Sequence, residues 1–251
     1  MLARSLATLA LAIAACACRG APATVAPETE IEPRSGPARV ATGLMTSLPI
    51  YWPEGGALEA MRDGDAAHEN WVRRALEDTL DLQPIDTLDD KALSGLRTLI
   101  LAQPRPLAPA ENVALDRWVR AGGRLLLFAD PMLTAHSRFP IGDLRRPQDV
   151  ALLSPILRHW GLELTFDPEQ PETRRWVDAH GVPLPVELGG RFKASVPEQC
   201  ILAAEAALAE CRIGGGKVLV LADAALLADA EPDTSEVSRS ALAMLLSRAF
   251  D

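Results

Sequence analysis

The 251-residue chain carries 25 Lys and Arg against 34 Asp and Glu, a formal net charge of -9. That balance argues against a nucleic-acid binder, which needs clustered basic side chains to displace counterions. With 48% hydrophobic and 4% aromatic residues, the chain can bury a sizeable core, and aliphatic side chains must fill it.

Residues 1–15 read as an address. Arg4 gives a short positive region, and Leu6–Ala15 is apolar and uncharged. Ten residues are too few for a helix to cross a hydrocarbon layer about 30 Å thick, so a secretory signal is expected. Ile13-Ala14-Ala15-Cys16 resembles the bacterial lipobox. That resemblance implies diacylation of the Cys16 thiol, removal of the signal and, with Ala17 following, residence in the outer membrane. Each acyl chain would contribute about 0.8 kcal/mol per buried methylene. Cys18 is a second candidate for processing. Plain secretion with cleavage at Ala15-Cys16-Ala17 or Ala21-Pro22-Ala23, or an uncleaved N-terminal anchor, are the competing readings. Residues 16–38, rich in Pro and Ala and without apolar periodicity, read as a tether reaching roughly 60 Å.

One α/β domain is expected over 39–251. Val40–Leu48 is a β-compatible run. Ala67, Trp71, Val72, Ala75, Leu76 and Leu80 share one face of a helix over 66–80. Leu82–Leu88 is read as a short strand. Thr98–Gln103 is an apolar run between Gly95 and Pro104, the pattern of a strand buried on both faces. Pro109–Ala121 is helical, with Pro in the first turn and Gly122-Gly123 as the stop. Arg124–Asp130 is a second buried strand. Strand, helix and strand within about 33 residues make a βαβ crossover with parallel strands. A helix over 150–160 and a strand over Leu162–Phe166 repeat the pattern. Residues 182–196 are read as short edge strands, Lys217–Ala222 as a buried strand and 234–250 as a closing amphipathic helix. The expected fold is α/β: a mainly parallel sheet flanked by helices, flavodoxin-like, with a small antiparallel insertion near 180–212.

Leu99-Ile-Leu-Ala-Gln-Pro104 and the run from Leu115 through Trp118, Gly122-Gly123 and Asp130-Pro131 resemble one family, the extracytoplasmic domain of gliding-motility-type auxiliary components of ABC transport systems. Leu153–Leu164, with its Trp160-Gly161 step, and Gly215–Asp223 are similar to further elements of that family. The resemblance covers about residues 40–250. It implies a class I glutamine amidotransferase-like fold and a partner in an ABC transporter or envelope system.

Catalytic signatures are scarce. No G-x-C-x-G or G-x-S-x-G elbow occurs, and the strand ending at Asp130 runs into Pro131-Met132. Gly214-Gly215-Gly216-Lys217 lacks the Ser/Thr and the helix of a phosphate loop and reads as a turn. His68, His136, His159 and His180 show no zinc-ligand spacing, so no metal and no cofactor are expected. Asp130, Asp167 and Asp223 follow predicted strands, at the edge where open α/β sheets bind ligands. They are candidate ligand contacts, together with His136 in the polar stretch after Met132. The competing reading is that each Asp caps a turn. Tyr51 and Trp52, between Pro49 and Pro53, offer a contact surface or cover the core edge.

Cys200 and Cys211 fall opposite each other if 199–204 and 207–212 form a hairpin, and an oxidising compartment would then join them. A helix over 203–209 is the alternative, with a weaker case for a bridge. Free buried thiols and a metal site are the other readings. The functional expectation is a non-catalytic, lipid-anchored periplasmic domain that binds a partner protein or small ligand. The alternative is a hydrolase using carboxylates at the C-terminal sheet edge.

Overall fold

A computed structural model describes residues 39–54, 70–227 and 235–251. Among them, seven strands form one sheet in the order β2-β1-β3-β4-β11-β10-β9. These are β1 (Val40–Thr46), β2 (Leu80–Pro84), β3 (Thr98–Ala102), β4 (Arg124–Phe128), β9 (Cys200–Ala203), β10 (Leu208–Ile213) and β11 (Gly216–Leu221). The pairs β1–β2, β1–β3, β3–β4 and β4–β11 are parallel, and β10 runs antiparallel to both its neighbours. The mainly parallel α/β architecture expected from the sequence is the one observed.

The period-two geometry of strands sorts the apolar runs onto two faces. Leu44, Ile100, Leu126, Phe128, Leu219 and Leu221 point to one face. There α1 (Trp71–Glu77) and α5 (Ser235–Phe250) cover them with Val72, Leu76, Leu242 and Leu245. Met45, Leu99, Leu101, Leu125, Leu127 and Val220 point to the other face. They meet Leu115 and Val119 of α3 (Pro109–Arg120) and Ile156 and Leu157 of α4 (Ser154–His159). Each fully buried aliphatic side chain contributes about 1.5–3 kcal/mol, so burial on both faces explains why β3 and β4 carry no alternation. The predicted βαβ unit is present, with Thr98 opposite Arg124 and Ala102 opposite Phe128. Between β2 and β3 lies the single turn α2 (Asp90–Leu93), whose N-cap Asp89 accepts from Ala92 N at 2.8 Å.

Several local expectations shift. The second strand is Leu80–Pro84 rather than 82–88, because Leu80 and Leu82 alternate with exposed residues while Leu88 packs on the opposite face. The helix expected over 66–80 is seen as Trp71–Glu77; Asn70 caps it by accepting from Val72 N and Arg73 N, and 66–69 lie outside the described residues. Pro155 sets the start of α4, so 150–153 belong to the preceding loop. The strands β5 (Leu162–Thr165), β6 (Arg175–Ala179), β7 (Val182–Val186) and β8 (Arg191–Ala194) do not edge the main sheet. They form two separate antiparallel pairs, β5–β8 and β6–β7. Leu162 and Phe192 pack in one core cluster and Val177 and Leu184 in the other, so each pair is held by side chains rather than by the main ladder.

The hairpin β9–β10 has the expected register. Cys200 faces Cys211, and a disulfide joins them. The turn between them runs through left-handed Ala204, Glu205 and Ala206, and the helical alternative is not adopted.

Candidate functional site

Parallel strands aim their C-terminal ends at one edge of the sheet, and the connections that leave this edge build the site. Strand β1 lies between β2 and β3. The chain reverses its direction of winding there, which opens a crevice between the ends of β1 and β3. The crevice is filled by the protein itself. Gln103, directly after β3, is fully buried with a left-handed φ of 46°. Its amide accepts from Asp130 N at 2.8 Å and donates to the carbonyls of Asp130 at 3.0 Å and Gln148 at 2.8 Å. Ser47, after β1, donates to Gln103 O at 2.5 Å and accepts from Gln148 N at 2.9 Å. The loop over 131–153 is thereby pinned across the sheet edge.

Asp130 and Asp223 follow the adjacent strands β4 and β11, and both are fully buried. Every carboxylate oxygen of the two accepts a backbone N–H. Asp130 Oδ1 takes Met132 N at 2.8 Å, and Oδ2 takes Ala224 N at 3.0 Å. Asp223 Oδ1 takes Ala225 N at 2.6 Å, and Oδ2 takes Glu187 N at 2.8 Å. The pair therefore ties three connections together: the loop after β4, the segment after β11 and the turn after β7. Gly189 lies so close that a Cβ there would stand 2.6 Å from Asp223 Oδ2.

Burial pushes Asp130 up to about 6; the donors of Met132 and Ala224 oppose that shift, and the Glu187 charge adds to it. Burial first, and then the charge of Asp130, hold Asp223 well above the usual carboxylate range.

The other sequence candidates are placed differently. Asp167 is exposed after β5, and its carboxylate accepts from Glu169 N at 3.0 Å, closing its own turn. It shares no hydrogen-bond partner with Asp130 or Asp223 among the described residues. His136 is exposed on the 131–153 loop. Beside it, Glu54 receives the hydroxyl of Ser137 and, at 3.1 Å, Arg138 N, fastening that loop to the segment after β1. Cys16 and Cys18 lie outside the described residues.

Gly214, Gly215 and Gly216 form the β10–β11 turn against the end of α3, where Gly215 N donates to Arg120 O at 2.9 Å. His159 lies 3.4 Å from Asp116, which also accepts from the indole of buried Trp160 at 2.9 Å. Among the described residues no three His, Cys, Asp or Glu side chains gather as a metal ion would require.

Two described cavities flank the sheet. One of about 260 Å³ opens at the C-terminal edge beside Ser47, Pro49, Tyr51, Trp52, Ile85 and Arg145. Tyr51 meets Trp52 edge-on at 5.0 Å, and the Arg73 guanidinium stacks 4.3 Å from the Tyr51 ring, leaving Trp52 half exposed. The larger, about 690 Å³, opens at the opposite edge, where no sequence signal placed it.

Residues 43–168, half of the chain, match the family model described as ABC-type uncharacterized transport system. The chain belongs to this family. The family's name denotes an auxiliary component of an ABC-type transport system. The matched span runs from β1 through β5 and includes Gln103, Asp130 and the pinned loop. No curated protein sequence matches significantly. Among solved structures, the mmIFT52 N-terminal domain superposes with a TM-score of 0.52 at 13% identity, over 84% of this chain and 98% of that one. The exo-beta-1,4-mannosidase Op5Man5 from Opitutaceae bacterium strain TAV5 gives 0.50 at 18% identity, over 83% of this chain but 36% of the mannosidase. At these identities the likeness is one of fold.

Gln103, Glu187 and Glu54 were not legible as site residues. Gln103 left one trace, a polar residue closing an otherwise apolar run before Pro104.

Proposed function

We propose that this member of the family is a non-catalytic accessory domain of an ABC-type transport system. Acyl chains on Cys16 would hold it at the periplasmic side of the envelope, and the C-terminal sheet edge would recognise a partner protein. The observation that carries the reading is the use made of Asp130 and Asp223. All four oxygens accept backbone N–H groups, so the carboxylates act as a scaffold for connections rather than as groups offered to a ligand. The connections they fix carry exposed apolar side chains. Ile141 and Leu144 are 86% and 100% exposed and Met132 is partly so; Trp52, on the neighbouring segment after β1 that Glu54 ties to the same loop, is half exposed. Exposed apolar side chains on anchored loops are the usual material of a protein contact.

A photo-crosslinking residue at Leu144 or Trp52, activated in intact envelopes, tests this. Recovery of a permease or ATPase subunit supports the reading. Crosslinks that form equally from an exposed position on α3 such as Val113 would refute it. A hydrolase reading draws on the raised pKa of Asp130, the property of a buried general acid. Full function in vivo of both Asp130→Asn and Asp223→Asn would dismiss it. Palmitate labelling that is equal in wild type and Cys16→Ala would remove the lipid anchor from the proposal.

A further inference from the structure

The larger cavity, of about 690 Å³, has a composition that the accessory reading does not use. It is a trough on the face covered by α1 and α5. Helix α1 packs on β2, and α5 packs on β4, β7 and β11; the trough lies between the two helices, over the starts of β1 and β3. The first residue of each of four adjacent strands lines it: Val40, Leu80, Thr98 and Arg124. The helices contribute Ala75, Leu242, Leu246 and Phe250. The floor is therefore apolar.

The cations are the second observation. Arg97, Arg124 and Arg239 all line this one cavity, although they come from three separate parts of the chain. Among the described residues, no hydrogen bond or ion pair engages any of the three guanidinium groups. Several other arginines are paired, as Arg105 is with Glu111, Arg120 with Asp116 and Arg248 with Glu210. Arg39, Arg158 and Arg212 have no such partner among the described residues, but they do not line this cavity. Asp251, the acidic residue of the lining, accepts the hydroxyl of Ser247 at 2.7 Å and keeps its charge, so three guanidinium groups stand against one side-chain carboxylate. In a chain of net charge -9, three uncommitted guanidinium groups around one apolar trough form a local positive site. Guanidinium forks match carboxylate and phosphate oxygens, and the volume lies within the range of small-molecule sites, about 300–1,000 Å³.

We propose that this trough binds a single-chain anionic amphiphile. The alkyl chain lies along Leu80, Leu242, Leu246 and Phe250, and the carboxylate or phosphate head lies among Arg97, Arg124 and Arg239. The inference is independent of the partner-binding edge, which is the opposite edge of the sheet.

The test is isothermal titration of the full chain carrying Cys16→Ala and Cys18→Ala, so that no acyl group of its own competes. The probes are oleate, oleoyl lysophosphatidate and oleyl alcohol, each below its critical micelle concentration. Saturable binding of one equivalent of either anion is expected, with the alcohol at least about tenfold weaker. Preference for oleate marks a free fatty acid as the natural class, and preference for lysophosphatidate a phospholipid product. The combined variant Arg97→Gln, Arg124→Gln, Arg239→Gln is expected to lose roughly tenfold or more in affinity for both anions. Ala243, an exposed residue of the lining, provides a second variant: Ala243→Trp fills the trough without entering the core. It is expected to abolish binding while the circular dichroism spectrum is unchanged. Binding that is absent, that has no fixed stoichiometry, or that survives Ala243→Trp in a folded protein overturns the proposal.

Discussion

Removing the charge of the buried pair, by Asp130→Asn with Asp223→Asn, is expected to flatten the dependence of stability on pH. A carboxyl whose folded pKa is raised binds more protons folded than unfolded between the two pKa values. Stability then falls as pH rises through that window. For Asp130 the window runs from about 3.9, the unfolded value, to about 6. A two-unit shift corresponds to about 3 kcal/mol in full, of which about 1.4 kcal/mol falls between pH 5 and pH 7.5. Asp223, raised further by its neighbour's charge, adds to the loss in the same direction.

Glu111 does not mask the effect. The Arg105 guanidinium holds Glu111 at about 2, so its stabilisation is already complete above about pH 5 and is lost only on acidification. The assay is urea denaturation at half-unit steps from pH 5 to pH 7.5. Wild type is expected to lose stability across that range, and the double variant is expected to be level. Both proteins share every histidine, so the difference between the curves isolates the pair. At pH 5 the variant is expected to be weaker than wild type by about 1–3 kcal/mol for each backbone N–H that an amide leaves without an acceptor. A wild-type curve that is flat, or a variant with the same decline, would refute the electrostatic account.

Gly216→Ala is expected to cost about 3 kcal/mol in a denaturation midpoint, because a Cβ there would stand 2.0 Å from Val119 O and 2.4 Å from Gly123 O. Gly95→Ala, at φ 84° with open space around it, is expected to cost only about 1–2 kcal/mol, through backbone strain alone. Reduction of the Cys200–Cys211 bridge, or Cys200→Ser with Cys211→Ser, is expected to remove about 3 kcal/mol for a loop of this length, read as a lower Tm under reducing conditions. Gln103→Leu deletes three buried hydrogen bonds; a loss of about 3 kcal/mol or more and faster proteolysis within 131–153 are expected, and unchanged cleavage would argue that the loop is held by other contacts.

The central βαβ unit was legible because Leu99–Ala102 and Leu125–Phe128 are continuous apolar runs, punctuated by glycine and proline. The Cys200–Cys211 register was legible because the period of a hairpin is fixed once its turn is chosen. The pairs β5–β8 and β6–β7 were not assigned to separate sheets. Four- and five-residue strands look alike whether they join a main sheet or lie on it, and only packing of Phe192 and Val177 into different clusters decides. For the site, Asp130 and Asp223 could be placed at strand ends, but their adjacency depends on β11 entering beside β4 after some 90 residues. The basic trough left no trace, because its arginines are isolated in sequence and meet only through sheet order.

The outermost strands of the main sheet are short: five residues in β2, which closes with Pro84, and four in β9. Such brevity leaves little rim for another chain to add to. On the β9 side the rim also carries Ile201, exposed and apolar, and a covalent tie to the strand within. A reductant that cuts the tie would let β9 peel away and uncover the longer β10, six residues with free amides and carbonyls ready to template a foreign strand. The chain's resistance to clumping is thus expected to follow the thiol chemistry of its surroundings, more than the depth of its core.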